Sequence, residues 1–102
     1  MRDANSRNDD KITVHVVIEG LVQGVGFRYA TRRFAADHDL GGWVKNRPDG
    51  RVEALFEGRR SAVQAAVDWC RKGPPASRVE NVNVTYLQSE GRSDGFRIAS
   101  GK

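Results

Sequence analysis

Three glycines and one arginine stand close together in residues 20–28, which read GLVQGVGFR. Gly24 and Gly26 allow backbone conformations that other residues avoid, and they remove side chains that would keep a ligand away from the backbone N–H groups. Arg28 has a planar, permanently charged guanidinium that suits two oxygens of a phosphate. Together these residues predict a compact site for an oxyanion.

A purely structural role for this stretch stays open at this point. Glycine-rich turns between a strand and a helix often serve only backbone geometry, and an arginine in a first helical turn is usually solvated. A cation is unfavourable at that end of a helix unless an anion joins it, which favours a ligand beside Arg28. The nucleotide-binding loops do not match, because Tyr29 stands where a third glycine would be required and there is no Gly-Lys-Ser/Thr.

The periodicity of the apolar residues predicts the elements that position this stretch. Alternation of apolar residues from Ile12 to Ile18 indicates a strand, and helical spacing begins at Phe27. The predicted elements are a strand over 12–19, a helix over 27–38, strands over 42–47 and 51–57, a helix over 61–71, a strand over 79–87 and a short strand over 95–99. The first helix is predicted to exit at Gly41-Gly42, and the second to begin with a capping box of Ser61 and Gln64. The turn Pro48-Asp49-Gly50 joins the second and third strands into a hairpin that Gly58 closes, and Val82, Val84 and Tyr86 share one side of the fourth strand.

The order of these elements predicts an α+β fold. Two helices on one face of a mostly antiparallel sheet of four to five strands bury the pattern economically, which is a ferredoxin-like βαββαβ sandwich. Right-handed crossovers then place the third strand between the first and the second. Residues 20–26 and Asn46 therefore emerge at the same edge of the sheet, on strands whose axes are about 10 Å apart.

Length and composition limit the classes to which the chain can belong. Its 102 residues are enough for one domain, which we expect over 11–102, with residues 1–10 as a disordered tail. Lys and Arg number 17 against 13 Asp and Glu, and the net charge of +4 suits an anionic partner. The single cysteine, Cys70, and the lack of an apolar signal or membrane segment predict a cytoplasmic protein with a reduced thiol and no membrane partner.

Two stretches resemble the signatures of the acylphosphatase family. Residues 20–28 are similar to the first, and residues 42–52 (GWVKNRPDGRV), continuing to Gly58, are similar to the second. The resemblance extends over residues 11–99 and implies an enzyme that hydrolyses acyl phosphates to a carboxylate and inorganic phosphate, with no metal or other cofactor. It further implies that Arg28 and the loop N–H groups bind the phosphate and that Asn46 holds the attacking water. The loop residues concerned are Val22, Gln23, Gly24, Val25, Gly26 and Phe27.

The chemistry of this reaction fits those residues. The leaving group is a carboxylate whose conjugate acid has a pKa of about 4, so its departure requires no general acid. The protein then has to place water in line and to stabilise charge on the phosphoryl oxygens, which is mainly positioning and electrostatics. Asn46 cannot usefully accept a proton. We hypothesise that the substrate phosphate takes the proton of the water, as is proposed for the family; a pH limb in kcat that follows one side chain would contradict this.

A non-catalytic module that binds RNA or other phosphate-bearing ligands is the competing interpretation. Ferredoxin-like sheets that bind RNA display aromatic residues on their central strands. The outward positions here are Thr13, His15 and Val17 on the first strand and Arg51, Glu53, Leu55 and Glu57 on the third. These positions include two glutamates and no Phe, Tyr or Trp that could stack on bases, so we expect no nucleic acid as partner. We expect a small acyl phosphate as partner and a monomeric protein. The sequence leaves the acyl group open.

Other residues of chemical interest are interpreted as structural. His15 and His38 lie away from the proposed site, and together with Cys70 they are too scattered to hold a metal. Cys70 takes a core position on the second helix, as a small buried hydrophobe. Three residues of the second signature stay open as contributors to substrate binding: Trp43, Lys45 and Arg47.

Overall fold

The computed structural model describes residues 10–88 and 95–100, which contain five strands and two helices. The elements have the predicted types and order, and their boundaries lie within two residues of the predicted ones. Residues 1–9 of the expected tail lie outside the described residues. The elements are β1 (Lys11–Leu21), α1 (Phe27–Asp37), β2 (Gly41–Asn46), β3 (Val52–Arg59), α2 (Arg60–Lys72), β4 (Arg78–Leu87) and β5 (Phe96–Ile98).

The strands form one sheet in the order β4-β1-β3-β2-β5. β3 lies antiparallel between β1 and β2, β4 is antiparallel to β1, and β5 is parallel to β2. The predicted ferredoxin-like α+β architecture and the central position of the third strand are confirmed. Because β1 and β2 are both antiparallel to β3, their C-terminal ends, at Leu21 and Asn46, lie at the same edge of the sheet.

The hydrophobic core lies between one face of the sheet and the helices. Alternate residues of β1 and β3 reach it and are buried, as the period of two predicts. Each valine, isoleucine or phenylalanine side chain among them contributes about 1.5–3 kcal/mol when it is fully removed from water. The helices contribute Phe27, Thr31 and Ala35 from α1 and Val63, Ala66 and Cys70 from α2.

The exit of α1 differs from the prediction. His38 is the C-cap, and Asp39 adopts the left-handed backbone with φ of 60°. Gly41 and Gly42 instead begin β2. A short polar side chain such as that of Asp tolerates the left-handed region because it can hydrogen-bond locally, so no glycine is needed at this turn.

The predicted capping box of α2 is wrong. The helix begins at Arg60, and its N-cap, Arg59, makes no side-chain cap hydrogen bond. β3 does not close at Gly58 but continues to Arg59, so the strand passes directly into the helix without a turn. Ser61 and Gln64 consequently lie inside α2.

Two strand residues are buried differently from the prediction. Thr13 faces the open side of the sheet yet is only 5% exposed, because it lies between Glu57 of β3 and Leu87 of β4. Tyr86 shares a side with Val84 but is 59% exposed. β4 is an edge strand of the sheet, and even Val84 is only half-buried there.

Candidate functional site

The loop between β1 and α1 is fastened at both ends. Val22 and Phe27 are buried, and the Phe27 ring packs edge-on against Trp69 with 5.4 Å between centroids. Gly24 and Gly26 have φ of 76° and 81°, a backbone region that strains other residues. A Cβ on either glycine would meet no described atom within 4 Å, so the space above the loop is open to a ligand.

The start of α1 presents N–H groups without helical partners. The first bond of the helix runs from the Ala30 N–H to the Gly26 carbonyl oxygen at 3.0 Å, which leaves the N–H groups of Phe27, Arg28 and Tyr29 without an acceptor in the helix. The N-cap Gly26 makes no side-chain cap bond, and the first turn contains no Asp or Glu. Such an end, with its partial positive charge, favours an anion.

Arg28 lies in this first turn and is half-buried. No carboxylate of the described residues forms an ion pair with it. Its guanidinium carbon lies 6.0 Å from the centroid of the Tyr29 ring, and the Arg32 guanidinium carbon lies 5.7 Å from the same centroid. A cation at the start of a helix opposes the helix dipole by about 0.3–1 kcal/mol. A bound anion would therefore offset the unfavourable charge of Arg28.

Asn46 reaches the same region from β2. It ends the strand on the face of Val44, which is fully buried. It pairs with Val52, which pairs with Ile18, so only β3 separates Asn46 from the end of β1. The buried Oδ1 of Asn46 has no hydrogen-bond partner in residues 10–88 and 95–100. A buried oxygen of this kind is costly unless a donor such as water or a ligand satisfies it.

The side chain of Gln23 connects the loop to the hairpin that contains Asn46. Its Nε2 donates to the carbonyl oxygens of Arg47 at 2.8 Å and of Arg51 at 2.9 Å. These two bonds hold the predicted loop against the hairpin that contains Asn46. No local pattern singles out this side chain, because its acceptors lie 24 and 28 residues away along the chain.

Charge pairs around Asp49 hold the turn between β2 and β3. Its Oδ1 accepts a hydrogen bond from the Arg51 N–H at 3.0 Å, and its Oδ2 lies 3.1 Å from Arg47 Nη2. The backbone N–H of Arg51, and then the two guanidinium charges, lower the pKa of the Asp49 carboxyl. The charge of Arg47 is thus partly neutralised within the turn.

The open face of the sheet contains a separate polar group. His15 Nε2 lies 2.6 Å from Glu53 Oε2, and Lys45 Nζ lies 3.9 Å from Glu53 Oε1. The Trp43 ring packs edge-on against His15 with 6.2 Å between centroids. Because strand residues alternate between faces, Trp43 and Lys45 lie on the opposite face from Asn46.

The remaining titratable residues singled out in the sequence lie elsewhere. His38 stacks on Phe34 with 4.0 Å between ring centroids, at the end of α1 farther from the loop. Cys70 is fully buried, as expected, and burial raises the pKa of its thiol to about 12. Across the described ranges no three His, Cys, Asp or Glu side chains are grouped so that they could hold a metal ion. Neither α1 nor α2 is long and apolar enough to cross a membrane.

The chain is similar to proteins of one family along most of its length. The family model for acylphosphatase matches residues 14–98. An acylphosphatase of Natronomonas pharaonis is 52% identical over 89 residues, which cover 87% of this chain and 96% of that protein. One from Trichormus variabilis is 56% identical over 87 residues, which cover 85% of each chain. The crystal structure of acylphosphatase from Bacillus subtilis has a TM-score of 0.83 and 42% identity to this chain, and covers 86% of this chain and 98% of its own.

Proposed function

This chain belongs to the acylphosphatase family of enzymes, which hydrolyse acyl phosphates, and we propose that the loop of residues 22–27, Arg28 and Asn46 form its active site. The loop N–H groups and Arg28 bind the phosphate, and Asn46 holds the water that attacks it. The substrate is a small acyl phosphate, and the products are a carboxylate and inorganic phosphate.

The main support for placing the phosphate at this loop is the uncapped start of α1, which contains Arg28 in its first turn. Gly26 makes no side-chain cap bond, and the first turn has no acidic residue. Oxygens of a phosphate would accept from the exposed N–H groups and would offset the charge of Arg28, whose two-pronged guanidinium suits a pair of them. The same contacts stabilise the charge that spreads over the phosphoryl oxygens in the transition state.

Asn46 is suited to orient the nucleophile. Its buried Oδ1, unpartnered in the described part of the chain, can accept a hydrogen bond from a water molecule. The water oxygen forms the new bond to phosphorus while the P–O bond to the acyl group breaks, and the electron pair leaves with the carboxylate. The proton of the water passes to a phosphate oxygen. Because the carboxylic acid has a pKa of about 4, no protein acid has to protonate the leaving group.

Hydrolysis of an aryl acyl phosphate by the wild type and by Asn46→Ala tests this function. We expect the variant to lose kcat about 10²–10³-fold, the usual effect of one preorganised contact, with inhibition by inorganic phosphate changed by less than about threefold. For the wild type we expect a flat kcat between about pH 6 and 8, where histidine titrates. Asn83→Ala, at an exposed position of β4, is the matched control.

Two results would contradict the mechanism. A near-normal kcat in Asn46→Ala would remove this residue from the reaction. A pH limb that follows the pKa of a histidine would show that a protein base, and not the phosphate, takes the proton. We do not expect His15 to be that base, because it lies on the opposite face of the sheet from Asn46, where it contacts Glu53.

We also propose that the enzyme acts as a cytoplasmic monomer formed by residues 11–102, without metal, other cofactor, nucleic acid or membrane. A cradle of N–H groups and one guanidinium can hold a phosphate by itself. The free thiol of Cys70 is compatible with a reducing compartment. Size-exclusion chromatography with light scattering tests the monomer, and a dimer at micromolar concentration would contradict it.

A further inference from the structure

Gln23 reaches from the loop to both strands of the β2–β3 hairpin. Its Nε2 lies 2.8 Å from the Arg47 carbonyl oxygen and 2.9 Å from the Arg51 carbonyl oxygen. A carboxamide nitrogen has two hydrogens, so each one is used in a separate bond. The other residues of the loop, at 22 and 24–26, are valine and glycine, which have no polar side chain. Gln23 is thus the loop residue whose side chain can bind the hairpin.

The two acceptors belong to the turn that directly follows Asn46. The Arg47 N–H, which shares a peptide bond with Asn46, donates to the Arg51 carbonyl oxygen at 2.8 Å, and the Gly50 N–H donates to the Arg47 carbonyl oxygen at 3.2 Å. A carbonyl oxygen has two lone pairs, so each accepts one bond from the turn and one from Gln23. Removing the Gln23 side chain leaves the turn's own bonds in place. The change should therefore act on the placement of the loop against the hairpin, not on the fold.

Placement matters because the loop backbone is intrinsically soft. Gly24 and Gly26 have positive φ and no side chains that pack, so the loop can adopt several conformations. Attack in line requires the water and the phosphorus to be aligned, and a displacement of about 1 Å can cost about a hundredfold in rate. A soft phosphate loop opposite a fixed Asn46 needs a contact that keeps the two in register.

We propose that Gln23 is a positioning residue that holds the phosphate loop in register with Asn46, so that the bound phosphate and the attacking water stay aligned. This role rests on the proposed function, which assigns the phosphate to the loop and the water to Asn46. The chemistry of the position requires a glutamine. A glutamate would bring a carboxylate oxygen against two carbonyl oxygens, and an asparagine is one methylene too short to keep both bonds.

Gln23→Met tests this role, because it keeps the length of the side chain and removes both donors. We expect kcat for an aryl acyl phosphate to fall about tenfold to a hundredfold. Inhibition by inorganic phosphate should change by less than about threefold, because the loop N–H groups and Arg28 are unaltered. Gln64→Met, the same substitution at an exposed position of α2, should behave as the wild type.

A double variant with Asn46→Ala shows whether Gln23 acts through Asn46. We expect Gln23→Met to lower kcat by less than about threefold once Asn46 is absent, since coupled residues are not additive. If the fold losses in kcat of the two single variants multiply in full in the double variant, the positioning role is refuted. A normal kcat in Gln23→Met would also refute it, and so would an equal loss of kcat and of phosphate inhibition in that variant. Normal kcat in Asn46→Ala would instead refute the proposed function. If Gln23→Met does not fold, Gln23→Asn takes its place in each comparison.

Discussion

Replacing Arg28 with Gln removes a permanent charge from the first turn of α1 and keeps a polar side chain there. Without a ligand this change should have little effect on stability. The charge opposes the helix dipole by about 0.3–1 kcal/mol. Its contact with Tyr29, 6.0 Å from the guanidinium carbon to the ring centroid, contributes about 0.5–1 kcal/mol in the other direction. Because the two effects offset each other, Tm in phosphate-free buffer should change by about 4 °C or less.

With phosphate present, Arg28→Gln should have a large effect. At a phosphate concentration of about 100 times Kd, binding stabilises the wild type by about 2.7 kcal/mol, which raises Tm by roughly 10–20 °C in a domain of this size. Loss of a charged contact worth about 1.5–3 kcal/mol raises Kd by up to roughly a hundredfold. The variant would then keep only about 0.4 kcal/mol of stabilisation at the same concentration. In parallel, kcat/KM should fall by about 10²–10³.

Thermal unfolding with and without inorganic phosphate, combined with aryl acyl phosphate hydrolysis, measures both effects. Arg33→Gln, at an exposed position of the same helix, changes the net charge equally and is the matched control. It should keep the phosphate-induced rise in Tm. A variant at Arg28 that retains this rise, or a kcat/KM within about threefold of the wild type, would refute the assignment. An equal loss in Arg33→Gln would show that net charge, and not a specific contact, attracts the phosphate.

The remaining predictions concern metal and the buried thiol. Treatment with EDTA followed by desalting should leave kcat unchanged, because the proposed phosphate contacts are N–H groups and a guanidinium; activity that is lost and returns only with a divalent metal would contradict this. Cys70 should resist alkylation in the folded protein and react after unfolding in urea, because burial raises the pKa of its thiol to about 12. This raised pKa also stabilises the fold fully below the unfolded value of about 8.5, and the contribution is lost as the pH rises toward the folded pKa. The urea midpoint should therefore fall more steeply with pH in the wild type than in Cys70→Ala, and equal slopes would show that the thiol is not the cause.

The types of the elements and the shared sheet edge were predictable because each follows from local periodicity and from the handedness of crossovers. The ends of the helices were less predictable from the sequence. The exit of α1 uses Asp39 in a conformation that sequence patterns assign to glycine. The start of α2 depends on how far β3 remains paired with β1, up to Arg59, which is a property of the assembled sheet. The bonds of Gln23 join residues 24 and 28 positions apart, so only the fold brings them together.

Flexibility and alignment are assigned to different residues of the loop. The glycines expose the N–H groups, the buried Val22 and Phe27 fix the two ends, and the side chain of Gln23 braces the loop against the hairpin. The position of Arg28 in the first turn of α1 is unfavourable for a cation when no anion is bound. The dipole penalty of about 0.3–1 kcal/mol in the free enzyme is small beside the roughly 2.7–4 kcal/mol that one oxyanion contact contributes in a transition state. Because the penalty is relieved only when an anion is present, Arg28 in the proposed site would stabilise the phosphoryl group most strongly where negative charge has accumulated on its oxygens.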